Sequence, residues 1–158
     1  MAQSKSELDK THIFDSVEFP DAYKISYLAN AIIVPTYEDV AKELGLLRTE
    51  YHLLMCLAHY PALAAKDVAK LTRMPRNSIS RAVHRMEKEG YITRTLNPDD
   101  RRQTALQVTP EGRAAHEKIA SKFVQRETEI LGILSKDERA ALRGMLTKLA
   151  VNASSLDR

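Results

Sequence analysis

Apolar residues recur at helical spacing over most of the chain, with two short β-type segments past the middle. A first helix is expected to open near Pro20, since proline fits a first helical turn, and to run through Tyr23, Tyr27, Ile32 and Val34. Pro35 has no amide proton, so a kink or break is expected there; Thr36 and Asp39 offer a weak restart and Gly45 a stop. A second helix, about Thr49 to His59, carries Tyr51, Leu54, Met55 and Leu57 on one stripe and ends before Pro61. A short third helix covers about Ala65 to Leu71. The fourth, from Pro75 or Arg76 to Gly90, turns Ile79, Val83 and Met86 toward a core and Asn77, Ser80, Arg81, His84 and Lys88 away from it. Two short β-segments follow, Tyr91 to Leu96 and Thr104 to Val108, separated by the turn-forming, charged run Asn97 to Arg102. Thr109-Pro110-Glu111 opens a fifth helix toward Leu134, and Ser135-Lys136-Asp137-Glu138 is a capping box for a sixth ending near Val151. The fold class is therefore mainly α with a small β-hairpin, a winged helix-turn-helix flanked by N- and C-terminal helices.

Charge sharpens this picture by its placement. Over the whole 158 residues the net charge is only +3, but Pro61 to Pro110 holds ten basic residues against five acidic ones, so that segment carries +5 and the remainder −2. Arginine dominates the basic set, and its planar fork suits phosphates and guanine edges. The fourth helix is slim enough to enter a major groove, where Arg76, Asn77, Ser78, Ser80, Arg81, His84 and Arg85 are the candidate contacts. The hairpin tip would bring Arg101 and Arg102 to an adjacent minor groove. No apolar run approaches the roughly 20 residues a membrane span needs, and the first residues lack the apolar centre of a signal peptide, so a cytoplasmic protein without membrane contact is expected. One cysteine, Cys56, cannot form an internal disulfide, and no Cys/His set has the spacing of a structural zinc site. No phosphate loop, carboxylate pair or Ser/His/Asp set stands in a supporting context, so neither an enzyme nor a cofactor is expected.

The stretch Asp100-Arg101-Arg102-Gln103-Thr104-Ala105-Leu106-Gln107-Val108-Thr109 resembles the wing signature of the MarR family, D-x-R followed after five residues by Leu-Thr, with Val108 for the leucine. Ala69 to Arg94, including Asn77-Ser78-Ile79-Ser80-Arg81 and Glu87-Lys88-Glu89-Gly90-Tyr91, is similar to that family's recognition helix and the turn into its wing. The resemblance implies a homodimer on pseudo-palindromic promoter DNA, a repressor released by a small ligand, with Asp100 positioning the wing and Arg102, with Arg101, contacting DNA. The chain departs from the family's pattern at Arg73, where glycine is frequent, at Thr72, at Ala64 and at Pro35.

The resemblance also implies an effector pocket between the dimerisation and DNA-binding parts. Tyr23, Tyr27, Tyr37, Tyr51 and His52 crowd that region, and with Arg48 they would suit an aromatic acid or phenol. The resulting division is a flexible arm over 1–15, an N-terminal helix over 16–48 for dimerisation and the pocket, a DNA-binding unit over 49–109, dimerisation helices over 110–152 and a flexible tail over 153–158. Ile119, Phe123, Ile130, Leu134, Leu142, Leu146 and Leu149 exceed what a compact winged helix covers, which favours a second copy. Two alternatives stay open: a dimeric interaction module that uses the basic face for other polyanions, and a redox regulator acting through Cys56. That cysteine sits in the apolar run Leu53-Leu54-Met55-Cys56-Leu57, where a thiol usually packs as a small hydrophobe, and with His52 it makes only half a metal site.

Overall fold

The computed structural model describes residues 12–96 and 104–156. Among them seven helices and one hairpin follow in the order α1 (Ile13–Ser16), α2 (Pro20–Leu44), α3 (Arg48–His59), α4 (Ala65–Thr72), α5 (Arg76–Lys88), β1 (Ile92–Leu96), β2 (Thr104–Val108), α6 (Pro110–Leu131) and α7 (Lys136–Ser155). This is the mainly α winged helix-turn-helix that the periodicity predicts. The two strands pair antiparallel, Ile92 opposite Val108 and Leu96 opposite Thr104. Leu63, between α3 and α4, exchanges two backbone hydrogen bonds with Leu106 (2.8 and 3.2 Å), so the wing is anchored to the helical core.

Burial defines one core. Leu53, Leu54 and Leu57 of α3 meet Val68 of α4, Ile79, Val83 and Met86 of α5, Ile92 and Leu106 of the hairpin, and Ala115 and Ile119 of α6. Val40 near the end of α2 and Leu46 just after it close the top.

Several junctions follow from local chemistry. Gly45 (φ 64°) and Gly90 (φ 80°) adopt the left-handed conformation that ends a helix at no steric cost. Arg73 adopts it too (φ 55°), at a cost of roughly 1–2 kcal/mol for a residue with a Cβ. The Thr109 hydroxyl caps α6 by accepting from the Gly112 amide (3.0 Å) and donates to the Gly90 carbonyl (2.8 Å). Gly112 itself is obligatory, because a Cβ there would stand 2.1 Å from the Tyr91 carbonyl oxygen. Ser135 and Glu138 form the reciprocal capping box that opens α7.

Of the kink or break expected at Pro35, the break is excluded: α2 runs from Pro20 to Leu44 through the proline. The carbonyl of Ala31, which a residue 35 amide would have satisfied, instead accepts from the Arg126 Nε of α6 at 3.1 Å. The Thr36 hydroxyl adds a bond to the Ile32 carbonyl (2.6 Å). The ends of the helical region also differ from the sequence reading. One helical turn, α1, precedes α2, with Phe14 against Tyr27 (4.9 Å between ring centroids) and Asp15 paired with Lys24. At the other end, α7 continues to Ser155. No helix among the described residues is long and apolar enough to cross a membrane.

Candidate nucleic-acid interface

The α4–turn–α5 unit places one polar face outward. Ile79, Ala82, Val83 and Met86 bury the inner side of α5, which leaves Arg76, Asn77, Ser80, Arg81 and His84 exposed on the other. Ser78 is half-buried, its hydroxyl 3.5 Å from the Asn77 side-chain oxygen. Pro75 sets the entry to the helix, and no acidic residue stands in the first turn to repel an anion from its positive end.

Arg85 behaves differently from its neighbours. Its Nη1 donates to both carboxylate oxygens of Glu50 (3.0 and 3.2 Å), its Nε to Glu89 (2.9 Å) and its Nη2 to the Gly45 carbonyl (2.9 Å). Glu50 is almost fully buried and also accepts the Leu47 amide at 2.7 Å, capping α3. Arg85, expected as a DNA contact, has its guanidinium tying α5 to the start of α3 and the end of α2 in this structure. Sequence reasoning missed this because Glu50 lies 35 residues away, and nothing in a linear pattern marks it as the partner.

Lys66 and Lys70 enter the sequence reading only as part of the basic segment's charge. They stand one turn apart on α4 and, with Arg76, border a hollow of about 300 Å³ beside the start of α5. The available signal was their i, i+4 spacing immediately before the turn.

On the wing, Arg94 of β1 pairs with Glu87 of α5 at 2.8 Å, bracing the hairpin against the helix. Asp100, Arg101 and Arg102 lie outside the described residues.

The six effector candidates separate into two groups. Tyr23 and Tyr27 pack on Phe14 at the N-terminal end of α2. Ten residues of helix, about 15 Å, part Tyr27 from Tyr37, so within one chain the two groups stand apart. Tyr37, Arg48, Tyr51 and His52 do converge, at the seam of α2, α3 and α6. Tyr37 shares a 3.1 Å hydrogen bond with His52 Nε2 and lies under the Arg48 guanidinium (5.7 Å to the ring centroid). Tyr51 stacks between Phe123 (5.1 Å) and His116 (6.1 Å), and His116 meets His59 edge-on (5.7 Å).

Burial governs the ionisation of this cluster. It pushes the Tyr37 phenol up to about 12, against a smaller opposing pull from Arg48. It lowers the pKa of His52, with Arg48 adding to the effect, and of His116, with His59 and Arg113 adding. The Nδ1 atoms of His52 and His116 are buried without a hydrogen-bond partner among the described residues, which suits neutral rings. Cys56 is buried in the α3 core and burial pushes its thiol up, away from the thiolate that peroxide chemistry needs. Among the described residues no three metal-ligating side chains gather.

Residues 44–103 match the profile of the MarR family. Over 124 residues the chain is 27% identical to the uncharacterized HTH-type transcriptional regulator YwaE of Bacillus subtilis, covering 78% of this chain and 72% of that one. Over 99 residues it is 32% identical to a transcriptional regulatory protein assigned to the hcr operon of Thauera aromatica, covering 63% of this chain and 60% of that protein. Its fold is similar to that of a protein from Listeria monocytogenes assigned to the MarR family and solved with a 26mer DNA. The TM-score is 0.77 at 20% identity, over 85% of this chain and 89% of that one.

Proposed function

The chain belongs to the MarR family of DNA-binding transcriptional regulators, and from that premise we propose that it acts as a homodimer on a pseudo-palindromic promoter site and represses from it. The reading is carried by one observation: α5 exposes Arg76, Asn77, Ser80, Arg81 and His84 on a single face while its opposite face is locked in the core. A rigid helix with that division can lie in a major groove with its polar side chains at base edges. Lys66 and Lys70 are assigned to the flanking phosphates, and Arg101 and Arg102, positioned by Asp100, to the neighbouring minor groove. That a fold neighbour was solved with a 26mer DNA supports DNA as the partner.

DNA selected from a random pool tests this reading. The protein is expected to enrich a two-fold site with half-sites one helical turn apart. Arg81→Ala should then weaken binding by about 1–3 kcal/mol and relax the preference at one base position, whereas Lys70→Ala should weaken all sequences alike and flatten the salt dependence. Enrichment of no common site, with equal affinity for every duplex, would favour an interaction module for polyanions and end the regulator reading.

The effector site belongs to the convergent group alone. An aromatic acid or phenol taking the place of the Tyr37–His52 hydrogen bond, with its anionic end on Arg48, would wedge α2 from α3 and release the DNA; the close meeting of these residues supports this reading. Substituted benzoates and phenols should raise the melting temperature of the wild type and not of Arg48→Ala, and no shift with any of them would remove the site.

A further inference from the structure

We propose that Arg73 is a positioning residue, a strut that fixes the recognition helix relative to the C-terminal helix through a bond from the helix-turn-helix turn to the end of α7. The inference rests on the reading of α5 as a recognition helix in a dimer. It starts from a conflict between residue and backbone. Arg73 is the one non-glycine residue with positive φ among those described, at a C-cap where glycine would adopt φ 55° freely. A side chain kept at such a position is disfavoured by the backbone unless it makes contacts that glycine cannot.

Arg73 makes such a contact. The Arg73 Nη2 donates to the carbonyl oxygen of Ala153 at 2.9 Å, across 80 residues of sequence, and this is not its only interaction. Ala153 lies in the last turn of α7, where the helix dipole is negative; its carbonyl accepts the Leu156 amide only at 3.3 Å, and its second lone pair takes the guanidinium. That turn has no basic residue of its own, so the cation comes from α4's end instead. The remainder of the junction is open. A cleft of about 820 Å³ separates Tyr60, Leu63 and Leu71 from Ala150 and Ala153, and α7 has no buried residue. A guanidinium bond across a cleft can therefore set the spacing that close packing leaves free.

The position of the turn gives that bond its consequence. Arg73 is followed by Met74 and Pro75, whose ring fixes the entry to α5, so a shift of Arg73 is passed to the recognition helix within three residues. If α7 pairs with a second copy, the strut links the dimer frame to the angle at which each α5 meets DNA.

The test uses the full chain with Arg73→Ala, Arg73→Lys and Arg73→Gly, the last chosen because its backbone prefers the observed φ. Each is measured on a single half-site and on the two-half-site DNA that the wild type selects. The expected result is unchanged half-site affinity for all three, a loss of at least about fivefold on the paired site for Ala and Gly, and recovery with Lys, which can still donate to Ala153. Equal loss on both DNAs, or no loss on the paired site, overturns the strut. A DNA-free arm separates this from failure of the regulator reading. In a Cys56→Ser background spin-labelled at Ser80→Cys, the distance between protomers should be narrow with Arg73 and displaced or broadened with Gly, and identical distributions overturn the proposal.

Discussion

Glu50 and Arg85 show how unequal two halves of one ion pair can be. The Glu50 side chain is 3% exposed and that of Arg85 39%, so the arginine can regain water if its partner is lost while the carboxylate cannot. Glu50→Ala removes the acceptor of the Leu47 amide and should cost about 1–2 kcal/mol in chemical denaturation, a normal loss for a helix cap. Arg85→Ala strands a buried carboxylate and should lower the melting temperature further than Glu50→Ala does. The double variant should be no worse than Arg85→Ala alone. The reverse order would mean that Arg85 is not Glu50's principal partner. The histidines of the α3–α6 seam make a second residue-scale prediction. Burial holds His52 and His116 below their ordinary 6.5 in the folded chain, so as pH falls below 6.5 the unfolded chain binds protons first. Their contribution to stability is thus fully present above that value and is lost as pH drops toward the folded pKa values. Melting temperatures should fall between pH 7 and 5, and His116→Phe, which keeps a ring against Tyr51, should make that fall shallower. An unchanged slope in the variant would show that this histidine does not titrate on unfolding.

At the scale of elements, what the sequence makes legible is whatever a single element decides for itself. Ile79, Val83 and Met86 give away the inner face of α5, Thr109-Pro110 the start of α6, and the short run Thr104 to Val108 after a charged turn the second strand, because each signal is local to one element. What escapes is decided between elements. The carbonyl left open by Pro35 is met by Arg126, 95 positions away, and the left-handed Arg73 reaches a carbonyl in α7. The same limit divides the candidate sites: the exposed face of α5 follows from periodicity, while Arg85 and the separation of Tyr23 and Tyr27 from Tyr37 follow only from packing. Pro35 allows the cross-element dependence to be measured. If Arg126 replaces the missing amide, Arg126→Ala should be more damaging beside Pro35 than in a Pro35→Ala chain, where residue 35 donates to Ala31 itself. A double-mutant cycle should give a coupling of about 1 kcal/mol. Additive losses would mean that the Arg126 bond and the proline are unrelated.

For the molecule as a whole, the distribution of apolar surface is uneven in a way that one copy does not resolve. The winged-helix part buries its leucines, isoleucines and valines efficiently, whereas α7 runs twenty residues without burying one. Met145, Leu146 and Leu149 of α7 are 46–56% exposed, as are Ile25, Leu28 and Val34 of α2. Between them a cleft of about 430 Å³ is lined by Ile32, Leu131, Leu142, Leu146 and Ala150 together with the Arg139–Glu127 ion pair. Exposed apolar stripes on the helices that flank a DNA-binding unit fit a two-fold partner of the same shape, and two linked units gain from each other's binding by roughly 10²–10⁴-fold without any new DNA contact. Leu146→Glu with Leu149→Glu puts two carboxylates into the α7 stripe and disturbs none of the core leucines. Sedimentation should then report the single-chain mass of 17.8 kDa where the wild type gives twice that, with near-UV signals of the core unchanged. Affinity for a two-half-site DNA should fall by about two orders of magnitude or more, toward that of one half-site. A wild-type chain that sediments at the single-chain mass at micromolar concentration would leave these stripes without the partner assigned to them, and the groove-spanning geometry would lose its basis.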